Sequence, residues 1–182
     1  MIDSSFDDFK LVKGAEKALS LFKELSTDPG WFMLLCYGGV GSGKTHLCKA
    51  LATELSKKLP EGCRLRIIRW PELIRGFKIA MHSELKGEYD ERFKNIKTSA
   101  ILILDDVGMG GTGSHWEWGE LEEIVDYRYE KELLTVITTN LDLKQLPPRI
   151  VSRFSDGVKS RKVLNSANDY RPLKGKQDVP DK

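Results

Sequence analysis

Gly38-Gly39-Val40-Gly41-Ser42-Gly43-Lys44-Thr45 fits the phosphate-binding pattern G-x-x-x-x-G-K-[ST], and the rest of the chain is read outward from it. Before it runs Trp31-Phe32-Met33-Leu34-Leu35-Cys36-Tyr37, an apolar stretch with the length of a buried strand. After it, Leu47, Ala50, Leu51 and Leu55 recur at helical spacing. Strand, glycine loop and helix are the context the pattern requires. The glycines let backbone N–H groups turn inward around phosphate oxygens, and the helix N-terminus adds its positive end. Lys44 is placed to reach β- and γ-phosphates and the Thr45 hydroxyl to sit on Mg²⁺. The plain alternative is a glycine-rich turn with no ligand.

Composition sets the frame for this motif. With 182 residues, one domain with a full hydrophobic core is expected. A hydrophobic fraction of 40%, a charged fraction of 31% and a net charge of +2 describe an ordinary soluble protein. So small a charge does not by itself imply polyanion binding, and any nucleic-acid site must come from local clustering. Cys36, Cys48 and Cys63 are widely spaced without a C-x-x-C pair, and the first two read as small core residues. The first eight residues have neither a basic nor an apolar segment of the kind that targets export. No apolar run is long enough to span a membrane, so a cytoplasmic protein without a membrane partner is expected.

The pattern along the chain alternates. Lys13–Ser26 is an amphipathic helix that stops at Thr27-Asp28-Pro29-Gly30. Cys63–Arg69 half alternates as a second strand, and Pro71 opens a helix continuing through Ala80. A more charged helix follows from about Glu84 to Lys97. Ala100–Leu104 is a continuous apolar run, as expected of a central parallel strand covered on both faces. A loop over Gly108–Gly113, a helix over His115–Lys131 and a strand over Thr135–Thr139 come next. Pro147-Pro148 precedes a short helix through Phe154, and Val158–Leu164 is a last strand. This alternation implies an α/β sandwich with a mainly parallel sheet in residues 1–164. Residues 165–182 are polar and Pro/Gly/Lys-rich, the composition of a poorly ordered tail.

A phosphate loop only binds; hydrolysis also needs an acid to organise metal and a group to activate water. Asp105 follows the apolar run ending at Leu104 and would hold Mg²⁺, while Asp106 could accept a proton from the attacking water. In isolation the pair could equally cap the next turn. Thr138-Thr139-Asn140 closes the next strand, where the Asn140 amide could orient the same water, although Asn also simply favours turns.

Three runs carry a resemblance: Tyr37–Leu47 with its Gly-Lys-Thr-His-Leu, Ile103–Gly108 with Leu-Asp-Asp-Val-Gly, and Ile137–Leu141 with Thr-Thr-Asn. Together they resemble the AAA+ ATPases of the DnaC/DnaI/IstB group, replicative-helicase loaders and transposition helper proteins. The likeness covers Phe6 to Arg171, including an Asp169-Tyr170-Arg171 ending. It implies a three-layer α/β/α P-loop NTPase that binds and hydrolyses ATP with Mg²⁺, His46 joining the nucleotide-binding run. Asn140 matches the sensor that polarises the lytic water. Arg149 and Arg153 lie in a segment that in this group supplies an arginine finger in trans, and Ser152-Arg153-Phe154 fits the finger position best. The alternative for either arginine is a surface ion pair. A finger in trans implies ATP-dependent self-association and a weak ATPase as an isolated monomer.

Two departures accompany the likeness. Nothing before Phe6 matches the region with which loaders grip the helicase, so an excised domain and a short relative are equally compatible. No substantial helical lid follows Phe154, and Arg171 is too weakly placed to supply a lid's sensor arginine. The resemblance further implies a replicative helicase and single-stranded DNA as partners. Arg69, Arg75, Lys78, Lys86, Arg92, Lys94 and Lys97, interleaved with Trp70, Phe77, Tyr89 and Phe93, fall where the group lines a DNA channel. Glu72, Glu84, Glu88, Asp90 and Glu91 dilute that charge, and Phe77 and Phe93 also fit core positions. Trp116 and Trp118 read as anchors of the helix they open. A transposition helper and a small P-loop kinase are the competing readings, the Asp105-Asp106 pair favouring water activation over the kinase.

Overall fold

A computed structural model of the protein describes residues 4–82, 87–108 and 114–170. Helix α1 (Glu16–Leu25) buries Ala18, Phe22 and Leu25, one helical stripe, and ends where the Ser26 and Thr27 hydroxyls donate back to the carbonyls of Lys23 and Glu24. Strand β1 (Met33–Tyr37) is buried on both faces over its first four residues. Helix α2 (Lys44–Ser56) starts directly from the glycine loop, with Gly43 left-handed at its N-cap. Strand β2 (Leu65–Arg69) leads without a loop into α3 (Trp70–Met81), where Pro71 occupies the first turn. Helix α4 (Glu88–Lys97) carries Glu88, Asp90 and Glu91 in its first turn and Lys94 and Lys97 in its last, matching the helix dipole.

Strand β3 (Ile101–Val107) is followed by α5 (His115–Glu130), whose N-cap Ser114 hydroxyl accepts the Glu117 N–H. Strand β4 (Leu134–Thr139), a 3₁₀ turn over Leu143–Gln145, α6 (Pro148–Arg153) and β5 (Ser160–Leu164) complete the order. The helix expected from Glu84 begins at Glu88, and residues 83–86, Lys86 among them, lie outside the described residues. So do residues 109–113 of the expected loop.

All four strand pairings are parallel, in the order β2-β3-β4-β1-β5. Apolar residues alternate between two cores, one per face. Leu34 and Cys36 pack with α1 and α2, while Leu35, Leu102 and Leu104 pack with α3 to α6. The result is the expected three-layer α/β/α sandwich. Arg128 of α5, wholly buried, ties the second layer to the sheet. Its Nε donates to Thr135 Oγ1 (2.8 Å), and its Nη atoms donate to the carbonyls of Ser99 (2.6 Å), Lys97 (3.2 Å) and Leu134 (2.6 Å). Burial lowers its pKa to about 9.

Cys36 and Cys48 are core residues and Cys63 is exposed; all three are free thiols. Burial pushes Cys36 up to about 12 and raises Cys48 as well. No helix among the described residues is long and apolar enough to cross a membrane. The stretch after β5 departs from the expected tail. Asn165 is fully buried and Ala167 nearly so, and the backbone of 165–170 bonds back to the body of the domain. No helix follows β5 among the described residues, and 171–182, with Arg171, lie outside them.

Candidate nucleotide site

The site assembles at the carboxyl ends of three neighbouring strands. β1 lies beside β4, pairing Tyr37 with Thr139, and β4 lies beside β3, pairing Ile137 with Leu104. The glycine loop leaves β1 and turns into α2 over this edge. Lys44 is nearly buried; its ammonium donates to the carbonyls of Gly38 (2.9 Å) and Gly39 (2.7 Å) and to Ser42 Oγ (3.2 Å). That same burial holds the Lys44 ammonium below the usual lysine pKa. Ser42 Oγ donates to the Gly39 carbonyl at 2.9 Å, so the loop is braced from within.

The loop is also braced from the chain's C-terminal side. Asn165 donates from Nδ2 to the Ser42 carbonyl (2.9 Å) and from its backbone N–H to the Tyr37 carbonyl (2.7 Å). The Tyr170 N–H donates to the Gly41 carbonyl at 3.1 Å. Gly38 (φ +146°) and Gly41 (φ +75°) are required here on two counts. Their backbone conformations disfavour side chains, and a Cβ would fall 2.1 Å from the Asn165 carbonyl or 1.8 Å from the Asp169 carboxylate. Composition alone pointed away from Asn165.

Behind the loop, α2 and β3 bring their oxygens together. Thr45 Oγ1 donates to Asp105 Oδ2 (2.8 Å), and Thr138 Oγ1 donates to Asp105 Oδ1 (2.5 Å). The Thr138 hydroxyl also accepts the Asp106 N–H at 3.1 Å, so one buried hydroxyl links both aspartates. β3 continues past Leu104 and bulges: Leu104 pairs with Ile137 but Val107 with Thr139, three residues against two. The bulge leaves Asp105 facing α2 and puts Asp106 at φ +58°, turned toward Asn140, whose Nδ2 lies 3.5 Å from Asp106 Oδ1. From β2, Arg69 reaches Asp106 Oδ2 at 3.2 Å. Thr138 and Arg69 are thus parts of the site that motif reading missed. Thr138 stood unremarked in the Thr-Thr-Asn run, and Arg69 was grouped with nucleic-acid contacts.

His46 faces the N-terminal segment instead of the loop's interior. Its Nε2 lies 3.2 Å from the Ser5 carbonyl, and its ring meets Phe9 edge-on. Arg149 and Arg153 lie together on α6, and both pair with Asp126 of α5, at 2.5 and 2.8 Å. Among the expected DNA contacts, Phe77, Tyr89 and Phe93 pack on one another. Trp70 is buried, Lys78 pairs with Glu117, Arg92 with Glu88, and Lys97 with Glu123. Arg75 and Lys94 stay exposed and unpaired among the described residues. Trp116 and Trp118 pack against the core at the start of α5, as anchors would.

These residues suit a nucleoside triphosphate with Mg²⁺. Loop amides and Lys44 could meet phosphate oxygens, while Thr45 and Asp105 would offer the hard oxygens that Mg²⁺ takes when phosphates and water complete its shell. The Cβ-intolerant turns at Gly38 and Gly41 make the cradle.

Comparison with known proteins agrees with this geometry. Residues 20–156 match the family model for IstB-like ATP binding protein. The chain is 26% identical to the chromosomal replication initiator protein DnaA of Onion yellows phytoplasma (strain OY-M), across 97% of this chain and 38% of that protein. It therefore spans little more than a third of the length of such curated relatives. The crystal structure of the DnaC helicase loader aligns with a TM-score of 0.73 and 23% identity, over 90% of this chain and 97% of that one. Replication initiator DnaA bound to AMPPCP and single-stranded DNA aligns with a TM-score of 0.75 and 22% identity, over 95% and 54%. The shared fold is that of AAA+ P-loop ATPase domains. Since the family model runs from within α1 through α6 and takes in well over half of the chain, the chain belongs to the IstB-like ATP-binding protein family.

Proposed function

We propose that this ATP-binding AAA+ domain hydrolyses ATP and works as a helicase-loader-like remodeller in DNA replication. The observation that carries the reading is the convergence of Thr45, Asp105, Thr138, Asp106 and Asn140 on one strand edge beside the phosphate loop. Lys44 exchanges loop carbonyls for β- and γ-phosphate oxygens. Thr45 and Asp105 hold Mg²⁺, which when bound neutralises charge on the transferring phosphoryl group. Asp106 accepts a proton from the attacking water, and Asn140 orients that water. Arg153, or Arg149 beside it, completes the site of a neighbouring copy, a contribution of about three to five orders of magnitude in related ATPases and GTPases. Arg69 holds the Asp106 carboxylate, so water activation at Asp106 competes with that ion pair.

Hydrolysis measured against protein concentration tests the shared site. Specific activity is expected to rise with concentration and to collapse in Arg153→Ala; a flat profile, or a fully active Arg153→Ala protein, refutes it. A DnaC loader and a DnaA bound to single-stranded DNA share this fold, which supports single-stranded DNA and a replicative helicase as partners. Exposed Arg75 and Lys94 make that contact electrostatic and salt-sensitive. Absence of binding at low salt with a non-hydrolysable ATP analogue refutes the DNA half. The family model favours a second reading, a transposition helper with a transposase and duplex DNA as partners. Pull-down against the helicase and the transposase of the same source separates the two.

A further inference from the structure

Two helices each bring two residues to one small cluster. On α5, Asp126 and Tyr129 stand three residues apart on one face; on α6, Arg149 and Arg153 stand four apart. The two arginines meet the same carboxylate differently. Arg153 approaches side-on, with Nε donating to Asp126 Oδ1 at 2.8 Å. Its guanidinium lies over the Tyr129 ring, 4.6 Å from the centroid. The ring is itself held: Phe32 packs on it, and its hydroxyl donates to Asp156. Both Nη nitrogens of Arg153 are left without a partner among the described residues. Arg149 approaches end-on, giving Nη2 to Asp126 Oδ2 at 2.5 Å, and its side chain is 62% exposed against 32% for Arg153.

The chemistry of a guanidinium gives this difference a meaning. A phosphate is grasped through the two Nη groups, and a guanidinium does so best when its plane is already fixed. Anchoring Nε and holding the guanidinium over an aromatic ring restrains Arg153 while both Nη groups stay unpaired among the described residues. Arg149 is held through one of the nitrogens it would need, and no ring among the described residues orients it. We propose that Asp126 is a positioning residue that, with the Tyr129 ring, presents Arg153 to the terminal phosphate of ATP bound by a neighbouring copy, Arg149 serving to balance the shared carboxylate. The inference rests on the trans-acting reading above and selects between its two arginines.

Subunit mixing tests it. An acceptor, Arg153→Ala, keeps its phosphate loop but lacks the finger; a donor, Lys44→Ala, keeps the finger but lacks a working loop. Mixed, they are expected to regain hydrolysis that neither has alone. Asp126→Asn added to the donor is expected to lower the rescued turnover by about tenfold or more. The acceptor's KM for ATP stays unchanged, because its own loop is untouched. The same Asp126→Asn added to the acceptor is expected to leave rescue intact, which also demonstrates that the substitution is tolerated by the fold. Equal loss in donor and acceptor assigns Asp126 a merely structural role and overturns the proposal, as does a donor that rescues fully without Asp126. Arg149→Ala in the donor should spare turnover; a loss matching that of Arg153→Ala there would overturn the choice of Arg153. If the plain donor rescues nothing, the trans-acting reading itself fails and this proposal with it, an outcome distinct from every other.

Discussion

Replacing Thr138 by valine removes one oxygen and preserves shape, and that oxygen is the joint between the two aspartates. Thr138 is wholly buried at the end of β4. Its hydroxyl proton goes to Asp105 Oδ1 at 2.5 Å, and its lone pair receives the Asp106 N–H at 3.1 Å. A hydrogen bond to a charged acceptor is worth about 1.5–3 kcal/mol, and a buried N–H left alone costs about 1–3 kcal/mol. Burying a methyl in place of the hydroxyl returns about 1 kcal/mol. A net loss of about 3 kcal/mol is therefore expected, a fall in melting temperature of about 6–12 °C for a chain of this size. The effect extends to function, because the lost bond also tethers Asp106 in its left-handed conformation, about 1–2 kcal/mol uphill for a side-chain-bearing residue. Released, Asp106 relaxes away from Asn140, and turnover with saturating Mg²⁺-ATP is expected to fall by about tenfold or more. Thr138→Ser is the control: it keeps both hydrogen bonds and loses one methyl, about 1 kcal/mol of stability with turnover retained. Urea denaturation and steady-state hydrolysis on the three proteins decide it. A valine variant matching the parent in both, or a serine variant as slow as the valine one, refutes the role given to this hydroxyl.

Three further perturbations bear on the scaffold around the site. Arg128→Met leaves the carbonyls of Lys97, Ser99 and Leu134 without their donor and should cost about 3 kcal/mol in chemical denaturation, while nucleotide affinity is unchanged. Asn165→Ala removes the bond to the Ser42 carbonyl and the one accepted from the Ala167 N–H. About 2 kcal/mol of stability and weaker binding of a fluorescent ATP analogue are expected, and loss of neither would refute the bracing of the loop. Burial holds the Glu120 carboxyl above the ordinary glutamate pKa, against the opposing hydrogen bond from Tyr89. A raised folded-state value means the folded protein keeps this proton longer than the unfolded chain. Its stabilisation is therefore complete below the ordinary value and lost as pH rises through the raised one. Melting temperatures over about pH 4–7 should reveal that loss in the parent and a flatter profile in Glu120→Gln.

The elements themselves were legible because their signals are local. Apolar runs the length of one strand sit between glycine-rich or charged breaks, and the loop, Asp-Asp and Thr-Thr-Asn motifs close β1, β3 and β4, which the sheet order β3-β4-β1 brings side by side. What escaped depends on contacts that composition does not encode. One extra residue at Asp105–Asp106 re-aims two carboxylates, yet an apolar run ending in two aspartates reads the same with or without a bulge. Asn165–Tyr170 is polar and resembles a loose tail, but much of its attachment is backbone hydrogen bonding to Tyr37, Gly14 and Gly41, available to any sequence the groove admits. Phe77, Tyr89 and Phe93 interleave with basic residues along the chain, while helical geometry turns all three rings onto one another. Of the basic residues around them, Lys78 and Lys97 gain acidic partners from α5, a helix distant in sequence.

The motif glycines therefore answer to more than phosphate. Gly43 carries the Phe9 ring of the N-terminal segment, 2.8 Å from where a Cβ would stand, and Gly38 and Gly41 carry the segment that follows β5. The loop is the meeting point of three stretches of chain. Lys44 donates to the carbonyls of Gly38 and Gly39, while Asn165 and Tyr170 donate to those of Ser42 and Gly41, so every carbonyl named here has a donor from outside its own peptide. A side chain at Gly38, Gly41 or Gly43 would therefore strain the loop and also strike the segments before α1 and after β5.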